Sequence, residues 1–125
     1  MVTRPLVSIV DDDESVRDSL PDLVRQFGFA VQAFSSADAF LASGSVDDTR
    51  CLILDIVMPG MSGPELRREL TSRRQDIPTI FISASRDKTL RPRLLAEGAV
   101  ECLFKPFSSA ALLDALNVAL RVRQT

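Results

Sequence analysis

Five short apolar runs alternate with five longer stretches in which apolar residues recur every three or four positions. Leu6-Val7-Ser8-Ile9-Val10 reads as strand 1 and Ala30 to Phe34 as strand 2. Cys51-Leu52-Ile53-Leu54 runs into Asp55 as strand 3. Ile77 to Ser83, opened by Pro78, is strand 4, and Val100 to Phe104, broken by Lys105-Pro106, is strand 5. Short apolar runs bounded by turn residues mark buried strands.

The intervening stretches have the 3.6-residue period of helices. Val16, Leu20, Leu23, Val24 and Phe27 form the first stripe, which Gly28 stops. Pro21 lies inside it, removes a hydrogen bond and crowds the carbonyl of Arg17, so a kink is expected there. Ser35-Ser36 supply an N-cap for a helix from Ala37 to about Ala42. Helix 3 starts after Gly63, carries Leu66 and Leu70, and ends in Arg73-Arg74, a basic end suited to a negative helix C-terminus. Helix 4 holds Leu90, Leu94 and Leu95 and stops at Gly98; Pro92 predicts a late start near Arg91 or an irregular helix. Ser108 caps helix 5, whose buried stripe is Leu112, Leu116 and Leu120.

Strands alternating with helices imply βαβ units with right-handed crossovers and a parallel sheet covered on both faces. The expected fold is α/β: a doubly wound five-stranded sheet of order 2-1-3-4-5, flavodoxin-like in topology. Its crevice lies where strands 1 and 3 flank the switch point.

Composition narrows what that crevice can do. With 125 residues, nearly half of them apolar, the chain predicts one domain over 1–125 with its own core. A net charge of −2 argues against direct nucleic-acid binding. No run of about 20 apolar residues suggests a membrane span, and the N-terminus lacks a signal-peptide pattern. Cys51 and Cys102 each sit in an apolar run, as buried, reduced thiols of a cytoplasmic protein would. The chain contains no His, which removes His-based triads, His metal sites and phosphohistidine chemistry on this chain. Lys88 and Lys105 are its only lysines.

Chemistry-bearing residues stand at the ends of the strands. Asp11 and Asp12 follow strand 1, Asp55 ends strand 3, Ser83 ends strand 4 and Lys105 ends strand 5. Each alone has a plain structural reading: acids at a helix start, a loop cap, a turn serine, a solvated lysine. Together, the topology brings them to one crevice. Two unit charges about 4 Å apart interact by about 4 kcal/mol at an effective dielectric near 20. Three carboxylates therefore need cations. Lys105 offsets one charge, and the other two match one divalent ion. Hard oxygen donors without thiol or imidazole favour Mg²⁺. A carboxylate, Mg²⁺, an ammonium and a hydroxyl suit phosphoryl transfer.

Val10-Asp11-Asp12-Asp13, Leu54 to Gly63 (LDIVMPGMSG), Phe81-Ile82-Ser83-Ala84, Gly98-Ala99-Val100 and Phe104-Lys105-Pro106-Phe107 resemble the receiver domain of bacterial two-component response regulators, most closely FixJ-like ones. The likeness spans nearly the whole chain. It implies a phosphorylation-dependent switch with Asp55 as phosphoacceptor, modified by a sensor histidine kinase or small phosphodonors. It also implies that Asp11, Asp12, Asp55 and the backbone carbonyl of Val57 bind Mg²⁺. Ser83, the backbone N–H of Ala84, and Lys105 would contact the phosphoryl group, and the Lys105–Pro106 bond would be cis. Such receivers usually precede a helix-turn-helix output domain, which implies transcription regulation by a segment absent from this chain. The readout face would be helix 4, strand 5 and helix 5, with homodimerisation through helix 4 and strand 5. The chain would be a regulatory module rather than an enzyme, with self-catalysed phosphotransfer and autodephosphorylation as its only chemistry.

Three residues depart from the family pattern. Ser83 replaces the usual Thr, Cys102 stands where a Tyr or Phe switch residue is usual, and Pro92 lies in helix 4. These predict an intact site with weakened or rerouted coupling, through Phe104 or Phe107. Two other functions compete. A phosphorylation-independent interaction module is disfavoured by the complete acid, Ser and Lys set. An aspartyl-phosphate phosphatase of the haloacid dehalogenase type wants a second Asp two residues after the nucleophile, where this chain has Val57. Neither GxGxxG nor GxxxxGK[ST] follows strand 1, which disfavours a nucleotide-binding domain.

Overall fold

The computed structural model describes residues 4–124. Its elements follow the alternation of the sequence: β1 (Leu6–Val10), α1 (Glu14–Gln26), β2 (Ala30–Phe34), α2 (Ala37–Leu41), β3 (Thr49–Asp55), α3 (Gly63–Ser72), β4 (Thr79–Ser83), α4 (Leu90–Ala96), β5 (Glu101–Phe104) and α5 (Ser109–Gln124). All strand pairs are parallel, in the order β2-β1-β3-β4-β5. The expected α/β doubly wound sheet is therefore the observed one.

Successive strand residues point to opposite faces, so each central strand feeds two cores. Val7, Ile9, Cys51, Ile53, Ile80 and Ile82 pack with Leu20 and Val24 of α1 and Leu112 and Leu116 of α5. Val10, Leu52, Leu54, Phe81 and Cys102 pack with Phe40 of α2, Leu66 and Leu70 of α3, and Leu94 of α4. Both cysteines are free and buried, as their apolar settings predict. Burial pushes the Cys51 thiol up to about 12, which leaves it a packing residue rather than a nucleophile.

Differences from the expected boundaries have local causes. β3 begins at Thr49, two residues before Cys51, because Thr49 Oγ1 lies 2.7 Å from Ser8 Oγ and the buried polar pair satisfies itself. β4 begins at Thr79 rather than Ile77. Helix α1 runs on through Pro21, which is buried within it. α4 starts at Leu90, one residue earlier than expected. Pro92 is its third residue, where backbone N–H groups have no intrahelical partner, so the ring is tolerated. α3 opens with a capping box: Ser62 Oγ accepts from the Glu65 N–H, and Glu65 Oε1 accepts from the Ser62 N–H at 3.1 Å.

Candidate functional site

The carboxyl ends of β1, β3, β4 and β5 meet at one edge of the sheet. Register places Asp55 beside Ile82 and Ser83 beside Phe104. Two main-chain bonds extend the pairing past the strands: Ile56 N–H to Ile82 O at 3.2 Å and Lys105 N–H to Ser83 O at 2.7 Å. The residues singled out at the strand ends are thus brought together by strand pairing.

Asp11, Asp12 and Asp55 each offer a carboxylate oxygen, and these oxygens all lie within 4.8 Å of one another. Asp11 is fully buried, Asp55 is 8% exposed, and Asp12 is exposed to solvent. Lys105 Nζ donates to Asp11 Oδ2 at 3.0 Å and stands 4.0 Å from Asp55 Oδ1. The ammonium thus favours Asp11 and leaves Asp55 the less compensated of the two buried acids. Asp11 Oδ1 also accepts the Asp13 N–H at 2.9 Å.

Burial, and then the negative charge of Asp11, push the Asp55 carboxyl up to about 7, against the lowering influence of Lys105. The folded state therefore keeps this proton to higher pH than the unfolded chain. Stability of the cation-free protein falls as pH rises from about 4 through about 7, because ionisation there is easier in the unfolded state. Most of that loss falls between pH 5 and pH 8. Asp55→Asn removes it: urea unfolding in chelator should show the substituted protein more stable at pH 8, with a flattened pH profile. Equal pH profiles for the two proteins would contradict this electrostatic picture.

The loop after Asp55 is shaped by close backbone packing. Gly63 donates its N–H to Ile56 O at 2.9 Å. A Cβ at residue 63 would run into the Asp55 carbonyl oxygen, so only glycine lets α3 start against the end of β3. Val57 is 75% exposed. Its isopropyl group has nothing to offer a cation, so any ligand role falls to its backbone.

Ser83 is buried, and its Oγ accepts the Ser85 N–H at 3.0 Å, folding the start of the β4–α4 loop into a tight turn beside the exposed Ala84. The Lys105–Pro106 peptide is cis, as the family resemblance implies. Cys102 is buried on the α4 side of the sheet, and next to it Arg91 of α4 grips Glu101 with two bonds, 2.6 and 3.1 Å. Neither this pair nor the bond from Arg17 Nη1 to the Asp11 carbonyl at 3.0 Å was singled out from the sequence.

A family model described as the response regulator receiver domain matches residues 7–117. The chain belongs to this family. Curated relatives agree. The receiver is 40% identical over 117 residues to the response regulator protein TodT of Pseudomonas putida, covering 94% of this chain and 52% of that protein. It is 39% identical over 118 residues to the transcriptional regulatory protein FixJ of Rhizobium meliloti, covering 94% of this chain and 58% of that protein. The chain spans about half the length of the curated relatives it matches. Among solved structures, that of the response regulator StyR superposes with a TM-score of 0.88 at 43% identity, over 98% of this chain and 62% of that one. FixJ-N superposes with a TM-score of 0.83 at 37% identity, over 97% and 96%. Among the described residues, no helix of the receiver is long and apolar enough to cross a membrane.

Proposed function

We propose that this receiver is a phosphorylation-dependent signalling switch that accepts a phosphoryl group on Asp55. The observation that carries this reading is the buried carboxylate of Asp55, within 4.8 Å of the Asp11 and Asp12 oxygens and 4.0 Å from the Lys105 ammonium. The donor set fits Mg²⁺: three carboxylates at one point, all hard oxygens, with the Val57 carbonyl nearby in sequence to complete it. Bound there, Mg²⁺ would supply positive charge to the phosphoryl oxygens.

The chain's own residues account for the rest. Ionised Asp55 attacks phosphorus through a carboxylate oxygen. In transfer from a sensor histidine kinase, the P–N bond of the phosphohistidine breaks as the O–P bond forms. The electron pair stays on the imidazole nitrogen, which takes a proton from solvent. The product is an acyl phosphate on Asp55. Its charge approaches −2 in place of −1, so the nearby donors must rearrange around it. Lys105, already shared between Asp11 and Asp55, moves to the phosphoryl oxygens. Ser83 Oγ and the Ala84 N–H close over them, drawing the β4–α4 loop inward.

That movement reads out on α4, β5 and α5. It can act only by favouring one pre-existing arrangement over another. Here the usual aromatic lever is replaced by Cys102, a small buried residue, and the Arg91–Glu101 pair ties α4 to β5. The coupling is therefore weaker than in receivers with an inward-swinging ring, or it runs through Phe104 or Phe107. We place the switch in the cytoplasm, as one receiver domain over 1–125. In the full protein it regulates transcription through an output domain outside this chain and dimerises through α4 and β5. Apart from phosphotransfer to Asp55 and hydrolysis of the resulting acyl phosphate to the carboxylate and inorganic phosphate, the receiver has no enzymatic role. A test is to phosphorylate the protein with acetyl phosphate, reduce with borohydride, and map the peptides. Homoserine at residue 55 is the expected product; homoserine elsewhere, with Asp55 unchanged, would contradict the assignment.

A further inference from the structure

Asp11 is anchored at four points. Its N–H donates to Phe34 O at 3.1 Å, its Oδ1 accepts the Asp13 N–H at 2.9 Å, and its Oδ2 accepts Lys105 Nζ at 3.0 Å. The fourth anchor is a side chain from α1: Arg17 Nη1 donates to the Asp11 main-chain carbonyl at 3.0 Å. Arg17 is half-buried, and its guanidinium reaches back six residues to the point where β1 ends.

That carbonyl belongs to the peptide plane joining Asp11 to Asp12. A peptide is rigid, so fixing its oxygen fixes the direction in which Asp12 leaves the strand. Asp12 sits outside both β1 and α1, where no ladder or helical bonding orients it. Lys105 cannot do this work throughout the cycle, because on the reading above it transfers from Asp11 to the phosphoryl group. Of the two side chains that donate to Asp11, Arg17 is the one that stays.

We propose that Arg17 is a positioning residue that holds the Asp11–Asp12 peptide so that both carboxylates converge on Asp55, and thereby sets the affinity of the acid cluster for Mg²⁺. This inference rests on the reading of that cluster as a Mg²⁺ site. The contact Arg17 makes is with the Asp11 carbonyl, and it is through that carbonyl that it acts. Groups that orient metal ligands typically change affinity by 10- to 100-fold when removed.

The sign of the effect separates positioning from charge. A guanidinium near a cation site repels the cation. If Arg17 acted only through its charge, removing it would tighten Mg²⁺ binding. Positioning predicts the opposite. Arg17→Met keeps the length and apolar stem of the side chain and removes its donors. Arg17→Gln serves as a second variant, removing the charge and shortening the reach, should the Met protein fail to fold. Mg²⁺ is titrated calorimetrically into wild type and variant, and the Mg²⁺ concentration giving half-maximal phosphorylation by acetyl phosphate is measured in parallel. The expected result is an about tenfold weaker Mg²⁺ affinity and an equal rise in the half-maximal concentration, in a protein whose cation-free unfolding curve shows it folded. A merely structural role would shift the unfolding curve and leave the affinity of the folded protein alone. Equal or tighter Mg²⁺ binding by the variant overturns this inference while leaving the phosphoacceptor reading in place. Wild type that binds no Mg²⁺ overturns both.

Discussion

Stripping divalent cations with a chelator lowers the rate at which acetyl phosphate modifies this receiver by about 100-fold or more, and added Mg²⁺ restores it. The expectation follows from charge at the ends of the strands. Three carboxylates converge within 4.8 Å, and one ammonium, at 3.0 Å from Asp11 and 4.0 Å from Asp55, is shared between the two buried acids. A phosphodonor brings further negative charge to the same place. One uncompensated contact at about 4 Å costs about 4 kcal/mol at an effective dielectric near 20, and each 1.36 kcal/mol is about tenfold in rate. Two such units therefore suffice for the effect even after generous screening. Initial rates by phosphate-affinity electrophoresis, with Mg²⁺ varied at constant ionic strength, measure it. A rate unaffected by chelator would mean that Lys105 alone offsets the cluster, and the divalent site would have to be abandoned.

Replacing Lys105 with Met destabilises the cation-free protein by about 3 kcal/mol, and adding Asp11→Asn recovers most of that loss. Asp11 is fully buried, and Lys105 is its charged partner at 3.0 Å. Removing one member of a buried pair strands the other charge, at a cost of about 3–5 kcal/mol; the low end applies because the Lys105 side chain keeps 23% of its exposure. Neutralising Asp11 in the same protein removes the stranded charge, while Asn can still accept the Asp13 N–H. Urea unfolding of the wild type, both single variants and the double variant closes the cycle. Additive losses, rather than recovery, would show that the two residues do not stabilise each other.

Much of this architecture was legible before the structure. Apolar runs ending in Val10, Phe34, Asp55, Ser83 and Phe104 marked all five strand ends, and the alternation with helical periods implied the parallel order that is observed. Strand ends were legible because each is an abrupt switch from apolar to polar residues. Strand starts were less so. Thr49 and Arg50 look like loop, yet Thr49 is buried against Ser8, a pairing that only the register of β1 with β3 creates. Pro92 suggested a disturbed α4, but the effect of a proline depends on its place in the first turn, which moved by one residue.

The candidate site was legible to the extent that topology alone assembles it. Asp11, Asp12, Asp55, Ser83 and Lys105 were found because strand-end positions in a parallel sheet share one edge. Arg17 was not, because its contact depends on how the Asp11–Asp13 turn folds the chain back over the start of α1. A basic residue six positions after an acid carries no pattern that a helical or strand period would reveal. The Arg91–Glu101 grip was missed for a related reason: it joins two elements whose side-by-side packing is a tertiary fact.

Phosphorylation at Asp55 is read from the intact mass of the protein after incubation with acetyl phosphate, with and without Mg²⁺, for wild type and Asp55→Asn. Wild type should gain one labile phosphoryl group in the presence of Mg²⁺, and the Asn protein none. A gain of the same size in the Asn protein, or none in folded wild type with Mg²⁺ present, would contradict it.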